Sequence, residues 1–340
     1  MSTVVVTGAA GRVGRSLMNA LAEAGYKTRG VDRRPSEARA TDVVTDLSDP
    51  EATRDAVVGA DVIVHLAALM SWRDEDATAV FAANVASTFN LLEAAKSVGI
   101  KHVILASSGE VYPEMAPRFL PITEQHPTEP TSYYGMTKLV DEQMLWFYAR
   151  KYRIEATVLR FPHTQDASEL LDPESFFCGP RFFLQRKIVQ QRVLGNERAV
   201  AALEPYDDGR DLLILSRSED AQPYCMPICD TRDTVAGILL AVSKPSARGQ
   251  TIALGPAEPF RFDAVVPRMS EAIGLEYVDV CLPGKGTNYT VDIRKARDLL
   301  GYMPQHGVDE MLSEAAAAYQ HRVANAGPPS GTREEHQCSE

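Results

Sequence analysis

A chain of 340 residues, 45% hydrophobic and 24% charged, can bury a large core and fits one large or two smaller soluble domains. A formal net charge of -11 disfavours nucleic acid and anionic membranes as partners, so an anionic small molecule would need a local group of Arg or Lys. No apolar run is long enough to span a bilayer, polar residues and glycines interrupt the short apolar start, five cysteines lack zinc-type spacing, and seven histidines include no HExxH pair. The expectations are cytoplasmic residence, reduced thiols and no metal.

In chain order, Thr3–Val6 reads as a buried strand, followed by the turn Thr7-Gly8-Ala9-Ala10-Gly11-Arg12-Val13-Gly14. A helix follows, with Val13, Leu17, Leu21 and Ala24 on one face. Glycines between a strand and a helix bring backbone N–H groups, and the positive end of a helix, against an anion. In this context the pattern implies dinucleotide binding. Lys27–Asp32 is a second strand. A carboxylate at its end, Asp32, suits the adenosine ribose hydroxyls and repels a 2′-phosphate, which favours NAD; Arg33 and Arg34 would instead suit NADP. Asp46 and Leu47 are placed beside the adenine. Asp61–Leu66 reads as a third strand, after which Leu66, Ala67 and Ala68 allow close backbone approach to a cofactor. His65 itself reads as structural.

Ala77–Val98 reads as a long helix, His102–Ser107 as a fourth strand, Ser132–Arg153 as a second long helix and Ile154–Arg160 as a fifth strand. Short apolar strands alternating with helices predict a parallel, doubly wound α/β sheet covered on both faces. After Arg160 the pattern changes. Arg181–Gln191 is expected to be helical, Leu212–Ser216 and Tyr224–Cys229 to form a hairpin around Ser218–Gln222, Asp233–Val242 a helix, Gln250–Leu254 a strand and Phe262–Ile273 a helix. We expect a nucleotide-binding domain over 1–165, a smaller, partly interleaved substrate-binding region over 166–325 that returns to the first around 230–255, and a disordered tail over 326–340.

Two further segments carry chemistry. Tyr134 and Lys138, in Tyr134-Gly135-Met136-Thr137-Lys138, share one face at the start of a helix, with Tyr133 about 100° away from Tyr134. A tyrosine titrates near pH 10; an adjacent ammonium favours the phenolate, at about 1.4 kcal/mol per unit. Ser108, Gly109 and Glu110 follow the fourth strand, where open α/β sheets bind ligands; the Ser108 hydroxyl there would hold a substrate oxygen or simply cap the strand end.

Together these features resemble the extended short-chain dehydrogenase/reductase family, the NAD-dependent epimerases/dehydratases, over roughly residues 3–320. The turn at Thr7–Gly14, His65-Leu66-Ala67-Ala68, Asn84 in Asn84-Val85-Ala86, Ser108 before Val111-Tyr112, and Tyr134 with Lys138 carry the resemblance. So do Asp233 before Ile238-Leu239-Leu240, and Asp292–Ala296 followed by Leu300–Pro304. The resemblance implies a Rossmann sheet and a catalytic set of Ser108, Tyr134 and Lys138. It also implies NAD held by Gly8, Gly11, Arg12, Val13, Gly14, Asp32, Asp46, Leu47, Leu66, Ala67, Ala68, Asn84, Phe161 and His163, together with Tyr134 and Lys138.

Two departures narrow the substrate. His163 in Arg160-Phe161-Pro162-His163 stands where nucleotide-sugar epimerases have asparagine, and Gly109-Glu110 lacks the Asp-Glu pair of dehydratases. The expected activity is hydride transfer between a sugar-like secondary alcohol and NAD. The alternative is a nucleotide-sugar epimerase with retained NAD, and a third, less favoured, is a redox-sensing NAD(P)-binding protein. Relatives dimerise through two long helices, which implies a homodimer. Substrate contacts are expected from Ser108, Gly109, Glu110, Tyr134 and His163. Arg181, within the cationic run Arg181, Arg186, Lys187 and Arg192, would reach an anionic substrate group, or else the run is a solvated helix face.

Overall fold

A computed structural model describes residues 2–35 and 42–325; the expected tail over 326–340 lies outside the described residues. The chain divides into two compact units. One comprises Met1–Asp166, Ser216–Asp263 and Cys281–Gly307; the other comprises Ala167–Leu215, Ala264–Val280 and the chain from Val308 onward.

The first unit is built on seven parallel strands: β1 (Thr3–Thr7), β2 (Lys27–Asp32), β3 (Val43–Val44), β4 (Val62–His65), β5 (His102–Ser108), β6 (Glu155–Phe161) and β7 (Gln250–Ala253). Their order is β7-β6-β5-β4-β1-β2-β3, the doubly wound sheet expected from the sequence. Alternation along each strand feeds two cores. Val4 and Val6 of β1, Val64 of β4, Ile104 of β5 and Leu159 of β6 face one cluster with Leu17, Leu21 and Ile238. Val5, Ile63, Val103, Leu105 and Val158 face the other, with Leu91, Leu92 and Leu145. A strand buried on both faces therefore reads as a continuous β-branched run, as TVVVT does. The winding reverses between β1 and β4, so the segments after those two strands flank the crevice where such sheets take ligands.

Three expectations about local structure change. The helix expected over Ala77–Val98 is Ala77–Phe81 and Ser87–Val98 joined by a π turn at Ala82–Ala86, which contains Asn84. The helix expected over Arg181–Gln191 is two, Cys178–Phe182 and Leu184–Val193; Phe183 between them is extended and its backbone pairs with Leu213. The Ser218–Gln222 turn forms, with Ser218 N–H donating to Gln222 O at 2.9 Å. The hairpin then ends: Cys225–Met226 pairs with Phe260–Arg261, and Ile228–Asp230 runs parallel to His163–Gln165. These long-range partners outcompete a local hairpin of modest length.

The second unit is mainly helical, with Cys178–Phe182, Leu184–Val193, Glu197–Leu203 and Val308–Asn325. No helix of the described residues is long and apolar enough to cross a membrane.

Candidate active site

Gly8 sits at φ +72°, and its N–H donates to Val31 O at 2.8 Å. A side-chain carbon on Gly8 would lie 2.8 Å from Ala67 N, so the turn after β1 and the Leu66–Ala68 segment after β4 lie backbone against backbone. At Gly14 a Cβ would come within 2.1 Å of Gly8 O. Gly11 caps the helix α1 (Arg12–Glu23) without any side-chain hydrogen bond to its first turn, which carries no acidic residue. The result is a bare, electropositive helix start beside a glycine turn, suited to an anion.

Asp32, at the end of β2, accepts from Ala10 N–H and Arg34 N–H, each at 3.0 Å. Its carboxylate is thereby aimed at the glycine turn, with the Arg34 guanidinium 3.8 Å away. Arg33 is exposed and lowers the pKa of Asp46, whose main stabiliser is the Ser48 N–H. The other expected cofactor residues divide. Leu66 and Ala67 line the second side of the turn. Val13 and Phe161 pack on the core under α1, while Leu47 turns into the opposite core and is 6% exposed. The Arg12 side chain runs to Thr164 O at 3.3 Å and Asp166 at 3.8 Å. Asn84 is buried and bonds within the protein: Leu69 N–H donates to its Oδ1 at 2.7 Å, and its Nδ2 donates to Thr137 Oγ1 at 2.9 Å. It ties the segment after β4 to the helix carrying Tyr134. His163 Nε2 lies 3.8 Å from Glu114.

That helix, Tyr133–Tyr152, begins with Ser132, whose hydroxyl accepts from Gly135 N–H at 2.9 Å and donates to Glu110 at 2.6 Å. Trp72 Nε1 donates to the same carboxylate at 2.9 Å. Glu110 thus clamps the start of the helix to the segment after β5, and Gly135 fits because a Cβ there would meet Glu110 O at 2.2 Å. Tyr134 and Lys138 emerge on the inner face; Tyr133 is 42% exposed. Lys138 Nζ donates to Ala106 O at 2.9 Å and lies 5.7 Å from the centre of the Tyr134 ring. Ser108 Oγ accepts from Glu110 N–H at 3.1 Å, and the Ser108 hydroxyl favours the Tyr134 phenolate.

The electrostatics differ from the sequence expectation. Burial, then the carboxylates of Glu110 and Asp141, push the Tyr134 phenol well above its ordinary range. Lys138 is lowered by burial, and Asp141 and Glu142 oppose that shift. Sequence reasoning missed Trp72, Ser132 and Asp141. Ser132 is visible as a helix cap; Trp72 and Asp141 carry no local signal.

In the second unit, Arg186 pairs with Glu174, and Arg192 with Glu204 at 2.8 Å. Arg181 lies 5.9 Å from the Phe177 ring, and burial plus the Arg181 charge push Lys187 down to about 8.

Residues 4–165 match the model of the NAD dependent epimerase/dehydratase family. A solved short-chain dehydrogenase/reductase superfamily protein from Agrobacterium tumefaciens, with bound NAD, is 46% identical, with a TM-score of 0.92 over 95% of this chain and 99% of that one. L-arabinose 1-dehydrogenase (NAD(P)(+)) of Haloferax volcanii is 32% identical over 50% of this chain and 70% of its own length. Uronate dehydrogenase of Pseudomonas syringae pv. tomato is 33% identical over 48% and 61%. The chain spans 58% to 70% of the length of the first curated relatives it matches. With the glycine turn at the reversal of a doubly wound sheet and these likenesses along the chain, the protein belongs to the NAD-dependent epimerase/dehydratase family of extended short-chain dehydrogenases/reductases.

Proposed function

We propose that this chain is an NAD-dependent oxidoreductase that transfers hydride between a secondary alcohol carbon of a sugar-like substrate and the nicotinamide, with Ser108, Tyr134 and Lys138 as its catalytic residues. The observation that carries the reading is the placement of the three at the carboxyl end of β5: Ser108 ends that strand, and the Lys138 ammonium, held on Ala106 O of the same strand at 2.9 Å, lies 5.7 Å from the centre of the Tyr134 ring. The NAD-bound relative from Agrobacterium tumefaciens supports the cofactor. The residues fit NAD: a tight turn in which a Cβ at Gly8 or Gly14 would strike the neighbouring backbone, a helix start with no side-chain cap, and Asp32 at the ribose-reading strand end.

Bound NAD supplies the hydride acceptor and, when oxidised, a positive charge. Within the protein, Ser108 orients the substrate hydroxyl and Tyr134, ionised to its phenolate, takes its proton. Lys138 adds positive charge beside a phenol whose ionisation burial, and then Glu110 and Asp141, oppose. Arg181 is the group we assign to a carboxylate on the substrate, because a guanidinium suits bidentate contact, and the nearby Lys187 adds positive charge. The similarity to a uronate dehydrogenase supports a sugar acid. Phe89 and Phe147, each about half exposed on the two long helices, are where we place a homodimer contact.

The test is NADH formation against sugars, sugar acids and nucleotide sugars. Net NADH from a sugar acid is expected; an epimerase with retained cofactor gives no net absorbance change. On the substrate found, Tyr134→Phe should lower turnover by roughly 100-fold or more while NAD still binds. Near-normal turnover would reject the catalytic assignment.

A further inference from the structure

One turn beyond Lys138 the helix carries two adjacent acids, Asp141 and Glu142, both buried. Glu142 is fully engaged: Arg160 donates to it through Nε at 2.9 Å and Nη2 at 2.7 Å, and Ser107 Oγ donates at 2.5 Å. Asp141 is different. Both its carboxylate oxygens are sealed from solvent, and neither has a hydrogen-bond partner. The Thr88 hydroxyl favours its charged form without a full hydrogen bond. A carboxyl in that setting is costly unless a positive charge faces it. Three residues apart on one helix, Asp141 and Lys138 lie on the same side.

We propose that Asp141 is a positioning residue for the Tyr134–Lys138 pair, the counter-charge that keeps the Lys138 ammonium protonated in a buried site. The inference rests on the catalytic reading given above. Lys138 itself donates to a neutral acceptor, the Ala106 carbonyl, and Glu142 is committed to Arg160, so the charge balance at Lys138 falls to Asp141. The remaining titratable groups around them do not substitute. His65, on β4, faces Thr88 at 3.0 Å and Thr7 at 2.7 Å, and burial pushes it down to about 3, so it stays neutral. Tyr134, raised by burial and then by Glu110 and Asp141, offers Lys138 no negative charge until it ionises as the base. Burial pushes Asp141 up to about 7, with the Lys138 charge opposing. The carboxyl is therefore ionised across the alkaline range in which Lys138, lowered by its own burial, would otherwise lose its proton.

The test compares the pH dependence of kcat for the NAD-loaded wild type and Asp141→Asn, which keeps the side-chain size. The alkaline limb should move at least one unit lower in the variant, a tenfold loss on that limb, while the acid-side rates converge where Asp141 is neutral in the wild type. Superimposable alkaline limbs would overturn the proposal. Carboxyl-carbon NMR on aspartate-labelled protein reads the same coupling without turnover and without the Asn variant. One aspartate should titrate near neutrality in the wild type and shift upward in Lys138→Met, because coupling is reciprocal. Absence of that shift overturns the inference. Loss of turnover in Lys138→Met with an unmoved aspartate overturns this inference alone, whereas full turnover in Lys138→Met overturns the catalytic reading with it.

Discussion

Alanine at Gly14 attacks the cofactor cradle through geometry alone. The added carbon would sit 2.1 Å from Gly8 O and 2.8 Å from Ala9 Cα, both backbone atoms, so no side-chain rotation relieves the clash. Gly8 is held in place, because its N–H is tied to Val31 O at 2.8 Å and the Ala67 backbone lies so close that a Cβ on Gly8 would meet Ala67 N at 2.8 Å. The start of α1 must therefore move off the turn by about 1 Å, an overpacking strain that costs about 1–3 kcal/mol. That movement falls on the N–H groups proposed to face the NAD diphosphate, so the same energy should appear in affinity, as about a 5- to 150-fold weaker Kd. Calorimetric titration with NAD, beside a thermal melt, measures both. Gly307→Ala is the control: nothing lies within 4 Å of its Cβ position, so stability and affinity should hold within about 0.5 kcal/mol. A Gly14→Ala protein that binds NAD like the wild type would refute the cradle, even if its melting temperature fell.

Asp32→Ala should weaken NAD and narrow its preference over NADP, since a ribose acceptor and a repelling charge both vanish; tighter binding of NADP than NAD by the intact protein in calorimetry would show that Arg33 and Arg34 dominate. Arg181→Ala should raise KM for a sugar acid far more than for its neutral analogue, and equal effects on both would return Arg181 to a solvated role. His65 gives a pH prediction. Its folded pKa, about 3, lies below the ordinary value, so the unfolded chain takes up a proton near pH 6.5 that the folded chain refuses. Its share of stability is complete above pH 6.5 and falls by about 1.4 kcal/mol per pH unit below it. Asp141, raised to about 7, acts in the opposite sense, so urea unfolding of wild type minus His65→Gln between pH 7 and 4.5 isolates the term; a pH-independent difference would contradict it. Light scattering should give a dimer mass at micromolar concentration and a monomer for Phe89→Glu/Phe147→Glu, and a monomeric wild type would reject the interface.

The sequence alone was enough for whatever depends on neighbours in the chain. A β-branched run buried on both faces, glycines between β1 and α1, Asp32 at a strand end, and Tyr134 four residues before Lys138 are local patterns, because strand and helix periods convert spacing directly into direction. The doubly wound sheet followed from repeating those patterns. Tertiary structure decided what depends on partners far along the chain. Leu47 reads as a loop residue beside the adenine and instead packs in the core with Leu91. Asn84 widens its helix into a π turn and spends its amide on Leu69 and Thr137, 15 and 53 residues away. Glu110, expected at the substrate, holds Trp72 and Ser132. Cys225 leaves a plausible hairpin for Arg261. Asp141 looks like an ordinary acid on a helix until the sheet buries its face. Only the order of strands determines which side chains meet across the sheet, and with them which charges are left to balance one another in the dry interior behind Tyr134.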